Sequence, residues 1–415
     1  MTTTTPDIRT DLLTPLGAYL RLRDDAAGAF LLESVEKGRL GRYSLVGCGP
    51  RLVEFAEAER VLAAGSPVVG YLGYDHVTAL EPTVQLPEDG PGLPESRFVV
   101  ASTLVRFDHA AGVAEVLAGD RDAVARLLAG PVEEPRATRA PSANGRTSRF
   151  PDRAEYEAGV VRVKEHIRAG DAFQVVLSQR AERPTGVTPL ELYRSLRRVN
   201  PSPYLFLLEL GGLALVGSSP ETLVKLEGTH ASLNPIAGTS PAGDGDVERL
   251  LESEKDRAEH VMLVDLGRND LSRVCVPGSV AVGRFLEPER YSHVTHLVSE
   301  VTGELAGGQT AFDLLRACFP AGTVSGAPKV RAMQIISELE GYRRGPYAGA
   351  VGYALPGGDL DTCIAIRTVV LRDGLARLQA GAGIVADSVP SAEHEECLNK
   401  LAALEAAIDL AEQPQ

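Results

Sequence analysis

Short apolar runs separated by glycine fill the first third of the chain. Residues 30–47, FLLESVEKGRLGRYSLVG, predict two strands joined by a polar loop. The apolar segment 67–75 contains glycines that permit tight bends, and residues 98–107 and 114–116 predict further strands. The pattern stops at residues 130–148, which are rich in Pro, Ala, Ser and Arg and therefore predict a linker or a long surface loop.

Helical periodicity begins after this break. The apolar stripe from Tyr156 to Ile167, between the start signal Pro151-Asp152 and the stop signal Gly170-Asp171, predicts a helix. Further helices are predicted at residues 189–198 and 392–410. Strand-like runs lie at residues 173–178, 205–210, 213–216, 348–353, 362–370 and 377–380. Adjacent strands joined by short turns, with helices at the periphery, favour an α+β fold over a regular βαβ parallel sheet.

Composition narrows the class of protein. The 415 residues leave room for several domains, and we divide them into an N-terminal part (1–130), a linker (131–149) and a C-terminal core (150–415). The net charge of −14 and the short basic clusters argue against nucleic-acid binding. No apolar run approaches the roughly 18–20 residues that span a membrane. Scattered cysteines without a CxxC pair, and no secretory signal, predict a cytoplasmic protein with reduced thiols.

Two predicted helical segments each carry acidic residues three positions apart, Asp256 with Glu259 and Glu393 with Glu396. Residues at this spacing share a helix face, so each segment can direct two carboxylates at one point. Two such pairs facing each other would suit a hard cation such as Mg²⁺. Acidic residues at this spacing also occur on solvated helix faces, so the spacing alone leaves both interpretations open.

Two glycine-rich segments are candidates for anion binding. Residues 322–329, GTVSGAPK, include Thr323 and Gly326 and lead into a predicted helix whose first turn would contain Pro328. Exposed backbone N–H groups and hydroxyls there suit an anion, although a simple capped loop fits equally well. Gly381-Ala382-Gly383 follows a predicted strand, and a turn there would let backbone N–H groups approach a ligand closely.

Arg367 and the histidines of residues 293–296 are further candidates. Arg367 ends an alternating run, where it could form a strand-edge salt bridge or anchor a carboxylate through two hydrogen bonds. His293 and His296 point to opposite faces in a strand and to the same face in a helix. Without a third soft ligand, a neutral histidine acting as hydrogen-bond donor or general acid is the better functional interpretation.

These segments resemble the chorismate-utilising enzymes, a family that includes the large subunits of anthranilate synthases and the aminodeoxychorismate, isochorismate and salicylate synthases. The matching stretches cover about residues 150–405 in order, and FLLES and GRYSLVG extend the likeness towards the N-terminus. They are NPSPY (200–204), GSSPE (217–221), PIAGT (235–239), DRAEHVMLVDLGRNDLSRVC (256–275), SHVTHLVS (292–299), FPAGTVSGAPKVRAM (319–333), YAGAVGY (347–353), GDLDTCIAIRT (358–368) and AGAGIVADSVPSAEHEECLNK (380–400).

The resemblance implies large mixed or antiparallel sheets packed as a sandwich, with helices outside. It also implies Mg²⁺ held by Glu259 and Glu396, with Asp256 and Glu393 close by or acting through waters. One chorismate carboxylate would lie on the metal. The other would be held by Arg367, Tyr347 and backbone groups around Gly383.

The resemblance also assigns catalytic roles. Glu221 matches an acid/base position that assists loss of the C4 hydroxyl, Thr323 would hydrogen-bond near that hydroxyl, and His296 matches the histidine linked to loss of pyruvate. Hydroxide is a poor leaving group, so a proton donor and a metal are chemically sensible there.

Ala237 decides among the family's reactions. Members that attack with water or form a covalent adduct have Lys at this place, so Ala237 favours ammonia and hence the anthranilate synthases. The resemblance then implies a separate glutamine amidotransferase subunit (component II), in a heterotetramer. Alternatives are a 2-amino-2-deoxyisochorismate synthase or a secondary-metabolite paralogue, an aminodeoxychorismate or isochorismate synthase, and a silent tryptophan-binding subunit.

Residues of two N-terminal and central motifs match a tryptophan feedback site of the anthranilate synthases. They are Leu32, Glu33, Ser34, Pro203 and Tyr204. Inhibition by tryptophan is therefore an expectation from the resemblance. Ser240 and Ala242 replace two arginines of the family's PIAGTRPRG motif, a change that bears on loop closure or partner contact.

Overall fold

Two antiparallel sheets with helices on their outer faces form the protein in a computed structural model. The structure describes residues 8–23, 26–34, 42–132, 145–241, 243, 245–290 and 294–413. The strands of these residues are β1 (Ile8–Arg9), β2 (Gly28–Glu33), β3 (Tyr43–Gly49), β4 (Arg51–Val53), β5 (Val68–Leu72), β6 (Ser96–Val100), β7 (Thr103–Asp108), β8 (Val113–Ala118), β9 (Ser148–Phe150), β10 (Gln174–Pro184), β11 (Tyr204–Leu210), β12 (Leu213–Ser219), β13 (Thr222–Glu227), β14 (His230–Leu233), β15 (Ile236–Pro241), β16 (Ala281–Arg290), β17 (Val294–Glu304), β18 (Gly326–Ala327), β19 (Ala350–Ala354), β20 (Leu360–Ile364), β21 (Thr368–Arg372) and β22 (Leu375–Ile384). The helices are α1 (Pro15–Leu22), α2 (Phe55–Ala63), α3 (Val77–Leu80), α4 (Arg121–Ala129), α5 (Arg153–Arg168), α6 (Pro189–Val199), α7 (Asp246–Glu252), α8 (Glu254–Ser272), α9 (Ala311–Cys318), α10 (Lys329–Glu340) and α11 (Pro390–Glu412).

Strands from both halves of the sequence are interleaved in the sheets. The first sheet has the order β1-β8-β7-β3-β2-β11-β12-β21-β22-β10-β18, with β9 also on β10. The second has the order β15-β17-β14-β13-β20-β19-β5-β6-β4, with β16 on β17. Residues 1–130 thus supply strands to both sheets, and the division at residue 130 stays a prediction. Most of the predicted linker, residues 133–144, lies outside the described residues.

One apolar layer of the core lies between the sheets. On β2, Phe30 packs into this layer, whereas the next residue, Leu31, packs against the helices on the outer face of the first sheet. Successive strand residues point to opposite faces, so a strand covered on both sides reads as a continuous apolar run. From the second sheet, Tyr71 and Val351 complete the layer. The predicted α+β sandwich with helices outside is confirmed.

Local signals set the helix boundaries. Asp152 and Glu155 form a capping box at the start of α5, and Thr188 and Glu191 form another at the start of α6. The acidic pairs identified in the sequence lie on α8 and α11, as predicted. No helix of the described chain has both the length and the apolar character needed to cross a membrane. All five cysteines are described, and each is a free thiol.

Two predicted strands are in fact crossovers between the sheets. Residues 98–107 divide into the end of β6 in the second sheet and β7 in the first. Residues 362–370 divide into β20 in the second sheet and β21 in the first, with Arg367 at a φ of 50° between them. This left-handed conformation is uncommon for a residue with a side chain. Both halves of each run are apolar, so periodicity could not separate them.

Candidate active site

Gly381 and Gly383 form a glycine strip on one face of β22, close to several of the predicted residues. A Cβ atom on Gly383 would lie 2.5 Å from Nε2 of Gln174 and 3.7 Å from Oε1 of Glu259. A Cβ on Gly381 would lie 2.9 Å from the hydroxyl of Tyr347. The absence of side chains at these two positions therefore lets Gln174 and Tyr347 lie directly against the strand. These residues lie within β22 (Leu375–Ile384), so the turn predicted for residues 381–383 is wrong.

The two other predicted backbone contacts have structural roles. Ala382 points to the opposite face of β22 and packs in a helix-covered core with Tyr156 and Val160, so only its backbone borders the strip. Gly326 has a φ of 131° and pairs with Val175 of β10, and a Cβ there would collide with the backbone of Gln174. Gly326 thus lets the Gly322–Val324 turn lie against the first sheet.

The carboxylates on α8 and α11 reach the glycine strip at different points. Glu259 accepts a hydrogen bond from Nε2 of Gln174 at 2.9 Å. Glu396 accepts one from Nζ of Lys400 at 2.6 Å, and the same Nζ donates to the carbonyl of Gly381 at 2.8 Å. Glu259 thus lies near Gly383, and Lys400, which binds Glu396, lies at Gly381, two residues earlier on the same strand.

The other two members of the predicted metal set are placed differently. Glu393 is 7% exposed and acts electrostatically on Tyr156 and Cys397, whose pKa values are raised mainly by burial. Asp256 lies in α8, but its side chain is outside the described part of the structure. Among the described residues, no group of three or more His, Cys, Asp or Glu side chains is arranged to hold a metal.

Glu221 faces the Gly322–Val324 turn from the second sheet. Burial raises its pKa from an ordinary 4.5 to about 8, against the opposing effects of the Thr323 hydroxyl and the charge of Lys400. Oγ1 of Thr323 is also buried, and it forms no hydrogen bond of standard geometry with any described residue. At neutral pH Glu221 is therefore mainly protonated, as a general acid must be.

Arg367 lies at the crossover between β20 and β21. Burial lowers the pKa of its guanidinium, whereas Tyr347 and Glu396 act in the opposite direction. In the described part of the chain, the Arg367 side chain makes no hydrogen bond or ion pair. The guanidinium N–H groups of Arg367 are therefore available to bind a carboxylate. Burial also raises the pKa of the neighbouring Tyr347, which keeps its hydroxyl a proton donor.

His296 lies on β17 and is oriented by a backbone carbonyl. Its Nδ1 is 3.2 Å from the carbonyl oxygen of Gly238, which can only accept, so Nδ1 carries the proton. Burial lowers the pKa of His296, and the charge of Arg367 lowers it further. The imidazole is thus neutral at pH 7, with Nε2 unprotonated. His293 lies outside the described residues.

The sequence analysis missed a buried ion pair that supports the site. Arg344 and Glu340 have side chains only 1% and 6% exposed, and they form two hydrogen bonds of 2.9 and 2.6 Å. Arg344 also donates to the carbonyls of Val324 and Val176, and Glu340 accepts from Ser178. The pair thereby joins the Thr323 turn to β10. The sequence feature that could have revealed this ion pair is the four-residue spacing of Glu340 and Arg344 at the end of α10.

Gln174 and Lys400 were also missed. Gln174 is a lone polar residue in a buried strand, 2% exposed, and its Oε1 has no partner among the described residues. Lys400 follows Glu396 by four positions on α11, a spacing that favours pairing. Lys400 lies in a segment that carried the family resemblance, whereas Gln174 does not, and neither was singled out.

The residues matched to a tryptophan site lie on the neighbouring strands β2 and β11. Leu205 pairs with Glu33, so Leu32, Ser34 and Tyr204 share the inner face, with Pro203 buried beside them. The Tyr204 hydroxyl contacts Thr222 at 2.8 Å and donates to Asp361 at 3.1 Å.

Glu33 points to the other side of the sheet. It accepts a hydrogen bond from Tyr193 of α6 and lies 3.7 Å from Arg197. It therefore does not line the inner face with the other four residues. The backbone of Ala237 pairs with Leu297, but its side chain and that of Ser240 are outside the described part, as is Ala242.

Comparison with known proteins gives consistent matches. The family model described as chorismate binding enzyme matches residues 41–406. Anthranilate synthase component 1 of Thermus thermophilus is 45% identical, over 97% of this chain and 96% of that protein. The protein of the same name from Streptomyces coelicolor is also 45% identical, over 97% of this chain and 88% of its own length.

Solved structures agree with the sequence matches. Anthranilate synthase component I from Streptococcus pneumoniae superposes with a TM-score of 0.79 at 33% identity, covering 97% of this chain and all (100%) of that one. The menaquinone-specific isochorismate synthase of Escherichia coli superposes with a TM-score of 0.76 at 20% identity, covering 98% of this chain and 96% of its own. The second likeness concerns the fold alone.

Proposed function

The chain belongs to the chorismate binding enzyme family, as its motifs predicted, and from this we propose that it is component 1 of an anthranilate synthase. It converts chorismate and ammonia to anthranilate, pyruvate and water. The observation that carries the proposal is the buried Glu221 beside Thr323, with its pKa raised to about 8, together with the buried Arg367, whose side chain has no acceptor among the described residues. Proteins of the same name from Thermus and Streptomyces, each 45% identical, support this choice within the family.

Substrate binding relies on Arg367, Tyr347 and the glycine strip. Arg367 has no acceptor of its own in the described chain, and its fork of N–H groups matches a carboxylate. The Tyr347 hydroxyl lies over Gly381, where a Cβ would come within 2.9 Å of it. We propose that the cyclohexadiene ring lies beside the glycine strip with one carboxylate directed at Arg367 and Tyr347.

Two proton transfers follow from the environments of Glu221 and His296. Ammonia adds to C2 of the ring while the C4 hydroxyl leaves, and Glu221 protonates that hydroxyl so that it departs as water. Nε2 of His296, unprotonated because Nδ1 donates to Gly238, then accepts the proton from the carbon bearing the new amino group. Cleavage of the bond between C3 and the ether oxygen releases pyruvate and leaves an aromatic ring.

We propose Mg²⁺ as cofactor, held by Glu259 and Glu396. The donor set fits, because Glu259 lies beside Gln174, whose buried Oε1 is an acceptor without a partner in the described chain. When bound, the ion would supply positive charge for a substrate carboxylate. Glu393 faces Tyr156 and Cys397, so we assign it an indirect role, and the role of Asp256 stays a prediction.

The source of ammonia is proposed to be a second subunit. The name component 1, carried by the relatives, implies a partner component. We propose a glutamine amidotransferase, component II, in a heterotetramer, with free ammonia as a substitute at high concentration. The inner-face residues Leu32, Ser34 and Tyr204 are the proposed tryptophan contacts. The free cysteines suit a reducing compartment, and we propose the cytoplasm.

The test is a mass-resolved assay of the purified chain with chorismate, Mg²⁺ and ammonium salt at alkaline pH. Equal amounts of fluorescent anthranilate and pyruvate are expected, and both should disappear with Glu221→Gln. A product that retains the enolpyruvyl group would instead indicate a 2-amino-2-deoxyisochorismate synthase. Chorismate left unconsumed, with ammonium or with an added amidotransferase, would overturn the proposal.

A further inference from the structure

A second recess lies on the same face of the first sheet, beyond Tyr347. It encloses about 450 Å³ of empty space, the solvent at its mouth included. Residues of β10, β21, β22 and the two loops at 91–93 and 342–347 line it. The lining residues include Arg180, Glu182, Arg377, Tyr342, Leu93 and Tyr347. Because Arg377 pairs with Glu182 and Gly381 with Ser178, the recess continues the strand face that carries the glycine strip.

The polar lining has more positive than negative charge. The Arg180 guanidinium lies 3.5 Å from the ring centre of Tyr342 and 4.9 Å from that of Phe150, and it has no carboxylate partner among the described residues. Its Nε is buried without an acceptor. Nε of Arg377 lies 3.4 Å from Glu182, yet both Nε and Nη1 of Arg377 are buried without a hydrogen bond in the described chain. Of the two guanidinium groups, only that of Arg377 therefore has a carboxylate nearby in the described chain.

The third arginine of the recess does not add to this excess. Arg344 is neutralised by Glu340 through two hydrogen bonds and also donates to two backbone carbonyls. The donors lacking acceptors therefore belong to Arg180 and Arg377 alone. Buried N–H groups in folded proteins are nearly always paired with protein, water or a ligand.

The remaining walls are apolar and restrict the kind of anion. They are formed by Pro91, Leu93, Pro346 and Val370. We propose that this recess binds a small organic carboxylate, whose charged group pairs with Arg180 and Arg377 and whose apolar body lies against these walls. Arginine matches a carboxylate through parallel N–H donors, and ligand-binding pockets generally combine apolar walls with a few polar anchors.

Tyr347 connects the recess to the catalytic cleft. Its ring lines the recess, its hydroxyl lies over Gly381, and the Arg344 guanidinium is 5.5 Å from its ring centre. A ligand in the recess would restrict the tyrosine that is proposed to hold the substrate. This coupling, unlike the binding itself, rests on the proposed function, and it predicts a changed KM for chorismate when the recess is filled.

The direct test is calorimetric titration of the full chain with benzoate, which combines a carboxylate with a compact apolar ring. Benzoate could also enter the catalytic cleft, so the decisive pair of variants is Arg180→Gln and Arg367→Gln. Loss of a charge-assisted contact should weaken binding by at least about tenfold in Arg180→Gln. Arg367→Gln should bind benzoate as the natural chain does.

Further variants and probes exclude trivial explanations. Leu93→Phe narrows the recess while keeping both arginines, and it should also weaken benzoate binding. Arg162→Gln removes an exposed arginine whose only described partner is Glu338, and it should have no effect. Acetate and inorganic phosphate, which lack the apolar body, should bind at least about tenfold more weakly than benzoate.

Three results would overturn the assignment. The first is no saturable binding of benzoate, which would indicate a recess filled by water alone. The second is binding lost in Arg367→Gln but kept in Arg180→Gln, which would place benzoate in the catalytic cleft. The third is phosphate binding as tightly as benzoate. Binding is measured without turnover, so inactivity towards chorismate would overturn the proposed function and leave this result intact.

Discussion

Two polar clusters meet at Tyr347, and they differ in whether their members find partners within the protein. We call them the paired cluster, Arg344, Glu340 and Ser178, and the open cluster, Glu221, Thr323 and Arg367. In the paired cluster every charge has an opposite charge in hydrogen-bond contact. In the open cluster the acid is protonated, the hydroxyl lacks a regular partner and the arginine has no described acceptor.

The paired cluster therefore has a structural role, whereas the open cluster is proposed to take part in the reaction. Burying a polar group without a partner is unfavourable, so a fold keeps such groups where a ligand or a reaction needs them. The paired cluster holds the Thr323 turn against β10 and needs nothing further. The open cluster is complete only with a substrate that supplies a carboxylate to Arg367 and a leaving hydroxyl to Glu221. The predictions below test whether the two clusters separate stability from activity.

The largest effect is expected from Glu221→Gln. The amide keeps the shape of the side chain but cannot give a proton to the departing hydroxyl, so kcat should fall by about 10²–10⁴-fold. Steady-state anthranilate formation measures this, and urea denaturation should show an unchanged or slightly higher stability. A variant with full activity would remove Glu221 from the reaction.

Arg344→Met should mainly affect stability. It leaves Glu340 buried without its partner, which should lower the free energy of unfolding by about 3–5 kcal/mol. Urea denaturation measures the loss, and the double variant Arg344→Met with Glu340→Leu should recover most of it. If the single variant were as stable as the natural chain, the distinction between the clusters would fail.

Arg367→Gln should show the opposite behaviour. Removal of a desolvated charge that pairs with the substrate should lower kcat/KM by the equivalent of about 2–5 kcal/mol. The free energy of unfolding should change little, because no protein group in the described chain loses a partner. Steady-state kinetics and urea denaturation on the same preparation test both statements, and a large loss of stability would contradict them.

Gly383→Ala tests the glycine strip. The new methyl group would come within 2.5 Å of Nε2 of Gln174 and displace the amide that holds Glu259. A misplacement of this size should lower kcat by about 10–100-fold. Gly307→Ala is the matched control, because no atom lies within 4 Å of a Cβ at that position. Equal activities of the two variants would exclude close approach as the reason for glycine at 383.

The sequence predicted the open cluster far better than the paired one. Glu221, Thr323 and Arg367 lie in motifs shared with a family, and that family is confirmed by the match over residues 41–406. Arg344 stands in the polar segment GYRRGPY, which resembles a surface loop, although its side chain is 1% exposed. Its burial depends on Val176 and Val324, which are distant in sequence, so local pattern could not reveal it.

The fold shows the same limit. Periodicity correctly located α5, α6 and α11, because a helix carries its signal within one segment. It merged β20 with β21, since a strand at either sheet is apolar on the side that faces the core. The crossover that places Arg367 depends on which sheet each half joins. That choice is made by pairing with β19 and β12, not by the residues of the run itself.

A further expected effect is a pH dependence of stability that belongs to Glu221 alone. Its pKa is about 8 in the folded chain against an ordinary 4.5, so between these values the folded state keeps a proton that the unfolded state has lost. Stability contributed by this group is therefore present below pH 4.5 and declines as the pH rises towards 8. Comparing urea denaturation of the natural chain and Glu221→Gln across this range isolates the contribution, because all other groups are shared. The natural chain should lose stability more steeply with rising pH, and parallel curves would show that Glu221 is ionised at neutral pH and cannot serve as the acid.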